Sequence, residues 1–195
     1  MNIGIKEATG GYIIRMDAHT EYATDYITKC VEWLEKTGVE NVGGPMRAKG
    51  RGYVGNAVEF AHHCVFGLGG GRFHSENWSG FVDTVYLGAW PKRIFEKIGL
   101  FDERLVRNQD IEFNARIKKN KGKVLLIPEI KSYYYCRDSL KGLWKQNFEN
   151  GKWITYTRKI APYCLSWRHF VPCIFVFSLL TFFILAPYFY IASII

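Results

Sequence analysis

The chain has 195 residues, with 26 Lys+Arg against 18 Asp+Glu (net charge +8), 48% hydrophobic and 16% aromatic residues. That apolar and aromatic content excludes an intrinsically disordered chain, and the length suffices for one domain with a sizeable core, or one domain with an appendage. The charge is uneven: every Lys, Arg, Asp and Glu lies at or before Arg168, and residues 169–195 carry none, which argues against a freely soluble protein.

In chain order, residues 2–9 read as a helix feeding a β-rich run at 11–16. Thr24 is placed to cap a helix reaching Lys36, with Ile27, Cys30, Val31 and Leu34 on one face and Gly38 as its stop. Residues 41–45 form a short strand entering a turn, and residues 56–64 a helix. A glycine-rich stretch at 67–72 continues through polar residues to Gly80. Residues 82–90 form the next strand, and Pro91 suits the first position of a helix to Ile98, with Gly99 behind it. Asn108 can cap a helix ending near Asn120, residues 123–128 form a strand, and 139–159 an amphipathic helix or two. This alternation predicts a mixed α/β layer fold over 1–138, followed by an amphipathic juxtamembrane segment (139–168) and a transmembrane helix (169–195).

The uncharged tail from Phe170 exceeds the roughly 20 helical residues that a hydrocarbon core of about 30 Å requires. Pro172 and Pro187 are tolerated in membrane spans, and Tyr188 and Tyr190 suit an interfacial aromatic belt. Lys145, Lys152, Arg158, Lys159 and Arg168 flank the tail, which predicts a body on the cytoplasmic side of the inner membrane; no export signal opens the sequence. The basic excess then points to anionic lipid headgroups or a phosphorylated substrate. Nucleic acid is disfavoured, because no Lys/Arg-dense helix or stacking motif is present. Five cysteines (Cys30, Cys64, Cys136, Cys164, Cys173), odd in number and without a CxxC pair, suggest neither a zinc site nor a disulfide framework.

Four segments offer chemistry. Asp17 and His19, two apart at a strand end, are either a turn and cap or a ligand pair for Mn²⁺ or Mg²⁺, an ion that would neutralise a departing diphosphate. Asp110 and Glu112, in the first turn of a helix, either complement the helix dipole or supply, in Asp110, a general base for an acceptor hydroxyl. Gln146 and Trp153 belong either to an interfacial helix or to a cover over a diphosphate or sugar ring. The loop 67–80 lacks a helix start at phosphate-loop spacing and reads as a lid near a site.

In order, these residues resemble the inverting glycosyltransferases of the GT-A fold, and among them the membrane-anchored type that builds bacterial exopolysaccharides such as succinoglycan. The first matching block is Asn2, Gly4, Ala8, Gly10, Ile13, Arg15 and Asp17 to Thr20. The second runs from Val82 to Trp90 and on from Phe95 to Glu103. The third is Asn108 to Arg116, and the fourth Ser139 through Gln146 to Trp153, followed by Arg168 to Pro172. The resemblance implies the C-terminal portion of a GT-A mixed sheet, without the family's N-terminal nucleotide-binding half.

It also implies roles. Asp17 and His19 stand at the Asp-x-Asp metal motif, with His19 in place of the second aspartate. Asp110 stands at the catalytic base, with Gln109 replacing the usual glutamate. Gln146 and Trp153 lie near the Gln-x-x-Arg-Trp block, whose arginine is absent. Gly88, Ala89 and Trp90 would line the acceptor side. The expected activity is transfer of a sugar from a UDP-linked donor to a lipid-linked or growing glycan, with inversion. The alternative is an inactive membrane-anchored remnant that only associates with other glycan-assembly proteins.

Overall fold

The computed structural model describes residues 1–64 and 72–192, with side chains throughout except Arg168 and residues 187–192. The glycine-rich part of the expected lid, 67–71, and the last three residues of the tail lie outside the described residues. The main sheet contains β1 (Tyr12–Ile14), β3 (Asn41–Gly44), β5 (Gly80–Phe81), β6 (Tyr86–Pro91) and β7 (Val124–Leu126), in the order β1-β6-β3-β7-β5. Only β3 and β7 run parallel; the other neighbours are antiparallel. A second sheet of short strands, β2 (Thr20–Tyr22), β4 (Arg47–Lys49) and β8 (Ser132–Tyr135), has the order β2-β8-β4.

Helices α1 (Asn2–Glu7), α2 (Tyr26–Thr37), α3 (Gly52–His63), α4 (Arg93–Ile98), α5 (Gln109–Lys119), α6 (Leu140–Ile160) and α7 (Val171–Ala192) complete the chain. α2 ends as expected at Gly38, whose positive φ of 65° closes the helix through an N–H bond to Leu34 O. Its buried stripe differs from the expected one: Tyr26, Cys30 and Leu34 face the core at i, i+4, i+8, while Ile27 points outward. The cap position is Asp25, not Thr24. α3 starts four residues earlier than expected.

The single strand expected over 82–90 is divided. β5 ends at Phe81, and β6 begins only at Tyr86 and runs through Pro91, which therefore closes a strand instead of opening a helix. Pro91 has no N–H to give, and the end of a strand tolerates that. β6 also carries an irregularity: Leu87 and Gly88 both have positive φ, and the register against β3 shifts there. On β3, a Cβ on Gly44 would stand 1.8 Å from Ile130 O, so only glycine lets these backbones approach.

Two apolar clusters flank the main sheet. One gathers Trp90, Phe95, Phe101, Phe113, Ile117 and Leu126, and the other packs Tyr26, Cys30 and Leu34 of α2 against Val42, Ala89 and Leu125. α6 is one continuous helix where one or two were expected, with Ser139 accepting from Gly142 N at its start. α7 has no charged residue, but its side chains are described only from Val171 to Ala186, short of the roughly 20 residues a span requires. Among the described residues no helix is long and apolar enough to cross a membrane, so the expected span is not found there.

Candidate functional site

The site forms where β1 ends. Just past the strand, in extended chain leading to the next turn, Arg15 and Asp17 form a bidentate ion pair, Nε to Oδ1 at 2.9 Å and Nη2 to Oδ2 at 3.0 Å. The backbone beneath them is held from both sides. Arg15 N donates to Gly88 O at 3.1 Å, and Asp17 N donates to the Tyr22 hydroxyl at 2.5 Å while that hydroxyl donates back to Asp17 O at 3.2 Å. The β6 irregularity thus has a use: it turns the Gly88 carbonyl toward Arg15.

Asp110 arrives on α5, whose position is set by a buried polar chain. Asn41 Nδ2 on β3 donates to Asn114 Oδ1 at 2.7 Å, Asn114 Nδ2 donates to Thr84 Oγ1 at 3.0 Å, and Ala89 N donates to Asn41 Oδ1 at 3.2 Å. Buried amides satisfied in this way fix one orientation, because any rotation of α5 leaves polar groups unpaired. Asn108 occupies the cap position but does not cap; its amide donates to Thr157 Oγ1 on α6 at 3.1 Å. Burial works against charge on Arg15, but Asp17, then Asp110 and Tyr86, outweigh it and hold the guanidinium charged above its ordinary range.

The second sheet supplies the opposite wall. The Tyr134 ring stands edge-on to His19, His62 and Tyr86, with centroids 6.3, 6.1 and 6.2 Å away. Gln146 Nε2 donates to the Tyr134 hydroxyl at 3.0 Å, and Gln146 Oε1 accepts from Arg137 Nε at 3.1 Å, so α6 is tied to this wall. Burial pushes the Tyr86 phenol up to about 12, which keeps its proton available for the 2.9 Å bond with Thr20 Oγ1. Burial, with the neighbouring His63, also lowers the His62 imidazole, whose Nδ1 has no partner among the described residues.

The structure therefore brings together Asp17, His19, Asp110 and Gln146 around Arg15, Tyr86 and Tyr134. Trp153, two turns beyond Gln146, makes its described ring contact with Tyr156, at 5.5 Å. The acceptor-side reading of Gly88, Ala89 and Trp90 needs correction. All three are buried, Trp90 at 1% exposure, and the Trp90 ring lies so close to Gly88 that a Cβ there would be 2.6 Å from it. Burial on this scale leaves these side chains no face to offer a sugar. The β-bulge and Trp90 build the floor, and the hydrogen bond from Gly88 O reaches the site.

Asp17 and His19, read as metal ligands, meet other partners in the structure. Both Asp17 oxygens are engaged by Arg15, His19 is exposed against Tyr134, and no group of three His, Cys, Asp or Glu among the described residues could hold an ion. In this arrangement an ion at Asp17 and His19 would have to compete with the Arg15 guanidinium for the carboxylate. Arg15 and Tyr134 were not assigned roles from the sequence. The i, i+2 spacing of Arg15 and Asp17 was the available signal for the first, whereas Tyr134 depends on a strand pairing distant in sequence.

A mixed, partly antiparallel sheet with carboxylates at a strand end and at a following helix start defines a GT-A-like transferase fold. Comparison with known proteins agrees: the Glycosyl transferase family 2 profile matches residues 1–99, and the chain belongs to that family. It is 27% identical over 154 residues to the succinoglycan biosynthesis protein ExoA of Rhizobium meliloti, covering 78% of this chain and 47% of that protein. It is 30% identical over 156 residues to a dolichyl N-acetyl-α-D-glucosaminyl phosphate 3-β-D-2,3-diacetamido-2,3-dideoxy-β-D-glucuronosyltransferase of Methanococcus voltae, covering 77% and 48%. The chain thus spans about half the length of these curated relatives. The crystal structure of GalNAc-T7 with UDP, GalNAc and Mn²⁺ shares the fold at 17% identity and a TM-score of 0.51, over 71% of this chain and 30% of that one.

Proposed function

We propose that this chain carries the acceptor-activating part of an inverting glycosyltransferase that moves a sugar from a UDP-linked donor to a lipid-linked or growing glycan. The observation behind this reading is the placement of Asp110 in the first turn of α5, held by the Asn41–Asn114–Thr84 chain, within electrostatic reach of the Arg15–Asp17 pair. In the proposed step Asp110 takes the proton of the acceptor hydroxyl as its oxygen attacks the anomeric carbon. The new C–O bond forms on the face opposite the bond to phosphate, which breaks with its electron pair leaving on the nucleoside diphosphate. In-line displacement of this kind inverts the anomeric centre.

The test is UDP release from a panel of UDP-sugars in the presence of membrane lipid extract. Asp110→Asn is expected to lower the rate by about 10²–10⁴-fold, the usual contribution of a positioned general base. Retained rate removes the base assignment, and no release by the wild-type chain from any donor removes the reading of activity for this chain.

The same reading places the body against anionic lipid on the cytoplasmic face. Supporting it, Leu140, Trp144 and Phe148 form an exposed stripe along α6 at i, i+4, i+8, interleaved with Lys141 and Lys145, and the described side chains of α7, apolar except Ser178 and Thr181, are largely exposed. Vesicles rich in phosphatidylglycerol and carrying brominated acyl chains should quench Trp144. Trp144→Phe should therefore lose a share of the quenching while still binding vesicles; equal quenching in both proteins contradicts seating of α6 in the bilayer surface.

A further inference from the structure

We infer that Arg15 stands in for a divalent cation at this site, its guanidinium holding both Asp17 carboxylate oxygens in a fork with which an ion would have to compete. This rests on the functional reading above, since only a diphosphate-handling site gives the substitution a purpose. Three observations carry it. The pair is bidentate, with both carboxylate oxygens accepting at 2.9 and 3.0 Å, so an approaching ion competes with a geometrically matched fork. It is partly buried, with side chains 28% and 23% exposed, so water screens it less than a surface pair. Both backbones are held, Arg15 by Gly88 O and Asp17 by the Tyr22 hydroxyl, so the two side chains start from fixed positions on the chain.

The fork leaves capacity in reserve. A guanidinium has five N–H donors. Nε and one N–H of Nη2 serve Asp17, and no further hydrogen bond from the group is found among the described residues. The remaining N–H groups are of the kind that recognise phosphate oxygens. A departing diphosphate would therefore meet a fixed organic cation, held charged by the carboxylate behind it. His19 fits the same reading: exposed and edge-on to Tyr134, it is not needed as an ion ligand.

The experiment reads metal binding directly on the full chain, by Mn²⁺ electron paramagnetic resonance titration, with no dependence on transfer. Wild type is expected to bind Mn²⁺ no more tightly than the millimolar range. Arg15→Met is expected to bind at least about tenfold more tightly, because a like charge a few ångströms from the ion is removed and Asp17 is freed. Arg15→Lys, which keeps a cation but loses the fork, should fall between them, and adding Asp17→Asn to Arg15→Met should abolish the gain. Micromolar Mn²⁺ binding by the wild type that Asp17→Asn removes overturns the inference without reference to any variant of Arg15. So does an Arg15→Met protein of unchanged circular dichroism that shows no gain. Failure of the functional reading appears elsewhere, as absence of UDP release with the Mn²⁺ results intact.

Discussion

Replacing Arg116 with methionine is expected to lower stability by about 3–5 kcal/mol, the cost of leaving a buried charge without its partner. Arg116 donates to both oxygens of Glu112, at 2.6 and 2.8 Å, one helical turn back on α5, and Glu112 is only 2% exposed. Two further donors of Arg116 reach Ile98 O at 2.8 Å and Leu100 O at 2.7 Å, closing the end of α4. Glu112 also accepts from the Tyr163 hydroxyl at 2.5 Å, which fastens the segment leading into α7. One guanidinium thus joins three parts of the chain. Urea denaturation measures the effect, and the double variant Glu112→Leu, Arg116→Met should recover most of it, because no lone charge then remains buried. A loss under about 1 kcal/mol in the single variant would reduce the pair to the worth of a surface ion pair.

Trp90→Ala should cost a similar amount, about 3–5 kcal/mol, through lost burial and the cavity left behind. The indole packs edge-on against Phe95, Phe101 and Phe113 at centroid distances of 6.0, 5.8 and 6.0 Å, and these rings also contact one another. Its Nε1 has no hydrogen-bond partner among the described residues. Trp90→Phe should therefore cost less than about 1.5 kcal/mol, since it keeps most of the apolar volume and removes an unpaired N–H. Thermal unfolding of both variants checks this. A Trp90→Ala protein that keeps its stability but loses affinity for an acceptor would restore the surface role that its burial denies.

The roles of Glu112 and Trp90 show what kind of information a linear reading lacks. A carboxylate in the first turn of a helix looks like a dipole partner, and only the fold reveals that Arg116, Tyr163 and the core enclose it. Trp90 lies in a run that resembles an acceptor wall, yet three phenylalanines from α4, α5 and the loop between them surround it. Strands of two to four residues escape pattern reading for a related reason. β2, β4 and β8 are too short for alternation to register, and they become strands by pairing across long separations such as Thr20 with Tyr134.

What the sequence determined alone was whatever depends on neighbours along the chain. The α2 stop at Gly38, the Ser139 start of α6, the α/β alternation and the uncharged tail follow from local dihedral preference, capping and composition. Four blocks of residues in order, among them Asp17 to Thr20 and Asn108 to Arg116, suggested the family. The tertiary structure alone decided which charges meet. Asp17 faces Arg15 because β1 is anchored to a bulge in β6, Gln146 reaches Tyr134 because α6 folds back on the second sheet, and Asp110 is oriented by an amide chain from β3. Electrostatic and hydrogen-bond energies depend on distances of a few ångströms between residues far apart in sequence, and those distances exist only once the sheets have formed.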